Sequence, residues 1–147
     1  MKYPRLILFL DSDNRILSPA AEVVFRSKLE SIGTKAITIV SAGVINEGFV
    51  SRDEQMDALL AETGLHIDGI VTPLSLVLLE YADWVVYMDD LSCNCRQLQR
   101  VSDSRKRIMD FPTKGTLTNL LKESPFDYVR IYEEIEKGCQ ALLAKIE

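Results

Sequence analysis

Apolar residues run unbroken through Leu6, Ile7, Leu8, Phe9 and Leu10, and charge bounds the run at Arg5 and Asp11. A short run with no polar alternation predicts a strand buried on both faces. After a polar loop, Ser18-Pro19 predicts a helix start, with serine as N-cap and proline in the first helical position. Ala20, Val23, Val24, Ser27 and Leu29 carry that helix on, and Gly33 ends it. Residues 36–40 form a second apolar strand, and Ser41-Ala42-Gly43 reads as a turn. Met56, Leu59 and Leu60 mark an amphipathic helix over residues 53–63, closed by Gly64. Thr72-Pro73 predicts a further helix start, running to Tyr81. Residues 83–88 give a third buried strand, followed by Asp89-Asp90. A helix is expected over residues 91–101 and a short fourth strand over residues 107–111. Residues 111–123 read as loop with a helical turn. Ser124-Pro125-Phe126-Asp127 then resembles an N-cap signature. It precedes a last helix whose Val129, Tyr132, Ile135, Cys139, Leu142, Leu143 and Ile146 recur at three- and four-residue steps.

Strands alternating with helices predict an α/β domain. The expected architecture is a three-layer sandwich, a four-stranded parallel sheet with helices on both faces. Ligands of such sheets sit beyond the carboxyl ends of the strands. Here those ends are residues 11–18, 41–43, 89–92 and the loop from Phe111.

The 147 residues make one domain, long enough to fold without disulfide or metal. A net charge of -5 argues against a nucleic-acid partner, which needs a basic stripe. The one basic run, Arg105-Lys106-Arg107, is short and leads into an apolar stretch. No apolar run reaches the length of a membrane span. The apolar stretch after Arg5 is too short for a signal peptide. A cytoplasmic protein with no membrane partner is therefore expected. Three cysteines, Cys93, Cys95 and Cys139, then suggest free thiols. On a helix, Cys93 and Cys95 would face different ways, which argues against a metal site there.

Chemistry gathers at the end of the first strand. Residues 11–22 read Asp-Ser-Asp-Asn-Arg-Ile-Leu-Ser-Pro-Ala-Ala-Glu and lead into Val23-Val24-Phe25-Arg26. With the strand before it, this stretch resembles the low-molecular-weight protein tyrosine phosphatases, which carry C-x-G-N-x-C-R-S-P-x-A-E at this place. Ile39-Val40-Ser41-Ala42-Gly43, the segment Ala82-Asp83 through Met88-Asp89, and the final helix also look like that family. The resemblance implies its fold over nearly the whole chain.

The family's mechanism uses a cysteine thiolate nucleophile, an arginine that grips phosphate oxygens, and an aspartate of a D-P pair that protonates the leaving group. Asp11 stands at the nucleophile place and Leu17 at the arginine place. The D-P region lines up with Asp110-Phe111-Pro112-Thr113-Lys114-Gly115, where Thr113-Lys114 replaces the acid pair; Asp110 and Asp127 remain as nearby acids. The degenerate phosphate loop is thus Asp11, Ser12, Asp13, Asn14, Arg15, Ile16, Leu17 and Ser18. Asp11 and Asp13 would repel a phosphate dianion. Asp13 also replaces the glycine that lets the family's loop curl, which works against the cradle. Asn14 and Ser18 are kept and are expected to brace it. A histidine that often braces the loop in the family is replaced by Ile70, and His66 reads as a surface residue.

The resemblance therefore implies an inactive phosphatase-like protein, a binding or regulatory module for a protein or small molecule, with no required cofactor. The alternative is a Mg²⁺-dependent phosphatase. Leu6 through Asp13 also resembles the strand and D-x-D motif of haloacid-dehalogenase-type enzymes, in which Asp11 would be the nucleophile. Residues 37–41 and 85–90 look like two further motifs of that family, and its lysine motif has no match. In a sheet of the tyrosine phosphatase type, the strand ending at Met88 lies beside the strand ending at Leu10, so Asp11, Asp13 and Asp89 are expected to converge as hard oxygen ligands for Mg²⁺.

Overall fold

The computed structural model describes residues 4–33, 36–45, 51–67, 70–95 and 106–146. Four strands, β1 (Leu6–Asp11), β2 (Thr38–Gly43), β3 (Trp84–Tyr87) and β4 (Arg107–Asp110), form one parallel sheet in the order β2-β1-β3-β4. Among the described residues six helices accompany them: α1 (Leu17–Ser31), α2 (Glu54–Glu62), α3 (Leu76–Tyr81), α4 (Asp90–Cys93), α5 (Lys114–Leu120) and α6 (Tyr128–Ile146).

The unbroken apolar run of β1 serves two cores. Ile7 and Phe9 face one side, packed with Val24 and Phe25 of α1 and with Ile135, Cys139 and Leu142 of α6. Leu8 and Leu10 face the other, with Val85, Ala42 and Leu79 of α3. Phe9 meets Phe25 and Phe111 edge-on, at centroid distances of 5.8 and 6.1 Å. Phe111 lies so close to Gly138 of α6 that a Cβ there would fall 2.1 Å from its ring. The sheet lies between helices, as expected.

Several boundaries differ from the sequence reading. Ser41-Ala42-Gly43 is not a turn: β2 continues through Gly43, in register with Asp11. Thr72-Pro73 does not start α3. Pro73 bridges Gly43 as an added sheet contact, and the helix waits for Ser75, whose hydroxyl accepts the Leu78 N–H at 3.2 Å. Residues 114–120 form α5, longer than the helical turn expected within a loop there, with Leu117 and Leu120 buried. Asp127, rather than Ser124, caps α6 by accepting the Arg130 N–H at 3.2 Å. The helix expected to reach Val101 begins at Asp90 and is helical to Cys93; its later part lies outside the described residues. No helix among the described residues is long and apolar enough to cross a membrane.

Candidate functional site

β1 delivers Asp11 to the carboxyl edge of the sheet, and residues 12–16 curl back to the start of α1. Ile16 occupies the N-cap position of α1 and offers no side-chain acceptor. Asp11 supplies it instead. Its Oδ2 accepts the Ser18 N–H at 3.0 Å, and its Oδ1 accepts the Asn14 N–H at 2.6 Å and the Ser18 hydroxyl at 2.8 Å. Ser18 is therefore a donor within the first turn, not the cap. The carboxylate of Asp11, 2% exposed, sits among amide donors at a helix N-terminus, where an anion is favoured.

The loop curls although Asp13 stands at the family's glycine place. Its left-handed residue is Asn14, at φ 60°, and Asn is the residue after glycine that best tolerates that region. Asp13 reinforces the turn by accepting the Arg15 N–H at 3.2 Å. Behind the loop, Gly43 has no room for a side chain: a Cβ would come within 2.6 Å of the Asp13 carbonyl carbon and 2.8 Å of the Asn14 nitrogen.

Asn14 is fully buried and uses both ends of its amide. Nδ2 donates to the hydroxyls of Ser18 (2.8 Å) and Ser41 (3.0 Å). Oδ1 accepts from the Thr72 N–H (2.8 Å) and from Arg52 Nη2 (3.2 Å). The Ser41 hydroxyl in turn donates to Glu22 at 2.6 Å, and Glu22 pairs with Arg26 at 2.5 Å. The brace expected from Asn14 and Ser18 is present. Ile70, half exposed, contributes nothing to it; Arg52 and the Thr72 amide hold Asn14 from that side. Sequence reasoning did not assign Glu22, Ser41 or Arg52 to the loop. The retained Glu22 and Ser41 of the family-like motifs were the signal that could have done so.

Burial raises the Asp11 pKa to about 7, opposed by the Ser18 amide and reinforced by the charges of Asp89 and Asp13. Asp11, Asp13 and Asp89 thus do come together, as expected from the strand order. They do not form the expected Mg²⁺ site. Asp89 accepts the Ser12 N–H at 2.8 Å through one oxygen and the Ser92 N–H at 2.9 Å through the other. Asp11 has both oxygens on loop donors, and Asp13 turns to Arg15. The oxygens serve the backbone rather than converging on one point. Among the described residues no group of three potential ligands is disposed to hold a metal. The family's chemistry, run on cysteine, arginine and aspartate, calls for none.

Above the loop lies a cleft of about 270 Å³. Asp11, Asp13, Asp53 and Asp89 line it together with Arg15. Ile16, Leu17, Leu121 and Phe126 form its apolar surface. Leu17, at the family's arginine place, is 3% exposed and belongs to the core beneath α1. Neither Asp110 nor the Thr113-Lys114 pair reaches the cleft. Lys114 ties Asp90 at 2.6 Å and lies 3.9 Å from Asp110, outside the lining. Two X-Pro pairs follow β4, and the one beside the cleft-lining Phe126 is Ser124-Pro125. Asp110, Phe111 and Pro112 do not line the cleft, whereas Phe126, which follows Ser124-Pro125, does. Asp127 is occupied at the start of α6. His66 is exposed, Cys93 and Cys95 are half-buried free thiols, and Cys139 is buried with its pKa pushed up by desolvation.

Solved structures share this fold. A Drosophila arginine phosphatase is 19% identical, with 95% of this chain and 96% of that chain covered and a TM-score of 0.74. A low molecular weight protein tyrosine phosphatase of Streptococcus pyogenes is 18% identical over 97% and 93%, TM-score 0.76. Vibrio vulnificus Wzb, in complex with benzylphosphonate, is 20% identical over 95% and 97%, TM-score 0.73. At these identities the likeness establishes the fold alone. No curated protein matches the chain. The family model described as low molecular weight phosphotyrosine protein phosphatase matches residues 6–147. With the strand order, the Asn14–Ser18 brace and the loop at the carboxyl edge of β1, that match makes the chain a member of the low molecular weight phosphotyrosine protein phosphatase family.

Proposed function

We infer that this chain is a catalytically inactive member of its family, a binding or regulatory module for a protein or small-molecule partner. One observation carries the reading: the Asp11 carboxylate lies on the Asn14 and Ser18 amides at 2.6 and 3.0 Å. Donors that a phosphatase of this kind turns on its substrate are engaged by the chain's own carboxyl group. A carboxylate is also a poor substitute for a thiolate in this setting, since two of its neighbours are acids whose charges oppose its own.

The other two groups of the mechanism are missing by the same reading. Leu17 has no donor for phosphate oxygens. Ser124 beside Pro125 has no proton to give at the acidity a phenolate leaving group needs. The loss of even one transition-state donor costs about a hundredfold or more in rate. The protein is expected to lack turnover of a chromogenic aryl phosphate, with or without Mg²⁺. A rate of order 1 per second, ordinary for an enzyme, would overturn the reading. The expected localisation is the cytoplasm.

A further inference from the structure

We propose that the cleft over the degenerate loop takes the arginine side chain of a protein partner, the opposite charge to the ligand this fold ordinarily receives. The proposal rests on the binding-module reading and names the partner's chemistry.

The cleft has two kinds of wall. Ile16, Leu121 and Phe126 give it an apolar flank that fits the methylene stem of a long side chain. Asp13, Asp53 and Asp89 set carboxylates around the same space. Arg15 is the only cation among its described lining residues, and its Nε is tied to the Ser51 carbonyl at 3.0 Å. The acidic field is felt at Asp11, whose pKa the charges of Asp89 and Asp13 raise further.

An organic cation suits these carboxylates where a metal does not. Asp89 and Asp13 each spend oxygens on backbone N–H groups, which fixes their direction. A carboxylate oxygen has two lone pairs, so one that accepts an amide can accept a further N–H. A metal would need several such oxygens in one coordination shell, and their geometry does not provide it. A guanidinium spreads five donors over a plane and so meets separated acceptors. The same plane can stack on the half-buried ring of Phe126. Arginine rather than lysine is the side chain that uses both features.

The test is a titration of the intact protein with a capped Gly-Arg-Gly peptide, followed by the backbone amide signals of residues 12–18 and 126. The neutral isostere Gly-citrulline-Gly and inorganic phosphate are run beside it. Saturable shifts with the arginine peptide, weakened as salt is raised and absent with citrulline, are expected. Asp13→Asn, which can still accept the Arg15 N–H, should weaken binding about threefold to tenfold, and Phe126→Ala should weaken it as well. No shift by about 10 mM arginine peptide, beyond the usual range of specific binding, overturns the proposal. So does equal binding of the citrulline peptide, or an unchanged affinity in both variants. Aryl phosphate turnover, measured on the same sample, bears on the inactive-module reading alone. Arginine binding with turnover would remove that reading and keep the cleft's charge preference. No arginine binding and no turnover would remove only the proposal made here.

Discussion

Asp11 and Ser18 are bonded twice: the Ser18 amide and hydroxyl reach the two carboxylate oxygens at 3.0 and 2.8 Å. One residue ends a strand and the other lies in the first turn of the helix that follows, so the pair clamps the loop shut across its base. The clamp combines opposing effects. Amide donors favour the charged carboxylate, while burial and two neighbouring acids disfavour it and prevail.

A pH dependence of stability follows. The Asp11 pKa rises from 3.8 unfolded to about 7 folded. Between these values the folded chain holds a proton that the unfolded chain has released. Stability from this group is therefore full below about pH 4 and falls as pH rises through about 7. The whole interval corresponds to about 4 kcal/mol at most. Urea denaturation at pH 5 and pH 8 should give the wild type a larger drop than Asp11→Asn. Equal drops in the two proteins would contradict the assignment.

Asn14 supports a second prediction. Asn14→Gly keeps access to the left-handed backbone but removes the amide that joins Ser18, Ser41, Arg52 and Thr72. It is expected to cost about 2–4 kcal/mol, because buried partners lose their hydrogen bonds. Asn14→Ala should cost more, since it adds the backbone penalty. Denaturant midpoints measure both; an alanine variant no less stable than the glycine one would argue against strain at this position.

Gly43→Ala places a methyl group 2.6 to 2.9 Å from the backbone of Asp13 and Asn14. Backbone on both sides cannot yield as a side chain would. A loss of about 1–3 kcal/mol is expected, with amide shifts concentrated in residues 12–18. Shifts spread evenly along β2 would mean that the loop is not the point of contact.

Mg²⁺ should leave the melting temperature unchanged up to about 10 mM, because a ligand stabilises only the state that binds it and the Asp11, Asp13 and Asp89 oxygens do not share a coordination shell. A rise that disappears in Asp89→Asn would restore the metal site rejected above.

How far the sequence was legible depended on what each feature needed. The continuous run in β1 revealed a strand between two cores, because only a doubly buried strand has no use for alternation. Strand order brought Asp89 next to Asp11 in thought before structure did. The direction of the Asp11 carboxylate was not readable: an aspartate at a strand end can face a cation, solvent or its own amides, and only the curl of residues 12–16 decides among them. The extent of β2 was misread because Gly43 looks like a turn residue; it is glycine for lack of space against Asp13. The length of α5 was underread because Gly115, Thr116 and Thr118 are weak helix formers, held in place by Leu117 and Leu120 in the core. The serine of Ser124-Pro125 was passed over as a cap because no local pattern says which proline sits beside the cleft.

The polar chain from Arg26 through Glu22 and Ser41 to Asn14 and Ser18 reaches the loop from its rear. Asp13 and Leu17 are not links in it. The loop's shape therefore rests largely on side chains behind it, with Asp11 the replaced position that also holds it closed. A chain built this way can shed its chemistry without unfolding the surface that displayed it. What remains is a contour of fixed curvature whose charge is open to revision, and here Asp11, Asp13 and Leu17 stand where the family's loop carries cysteine, glycine and arginine.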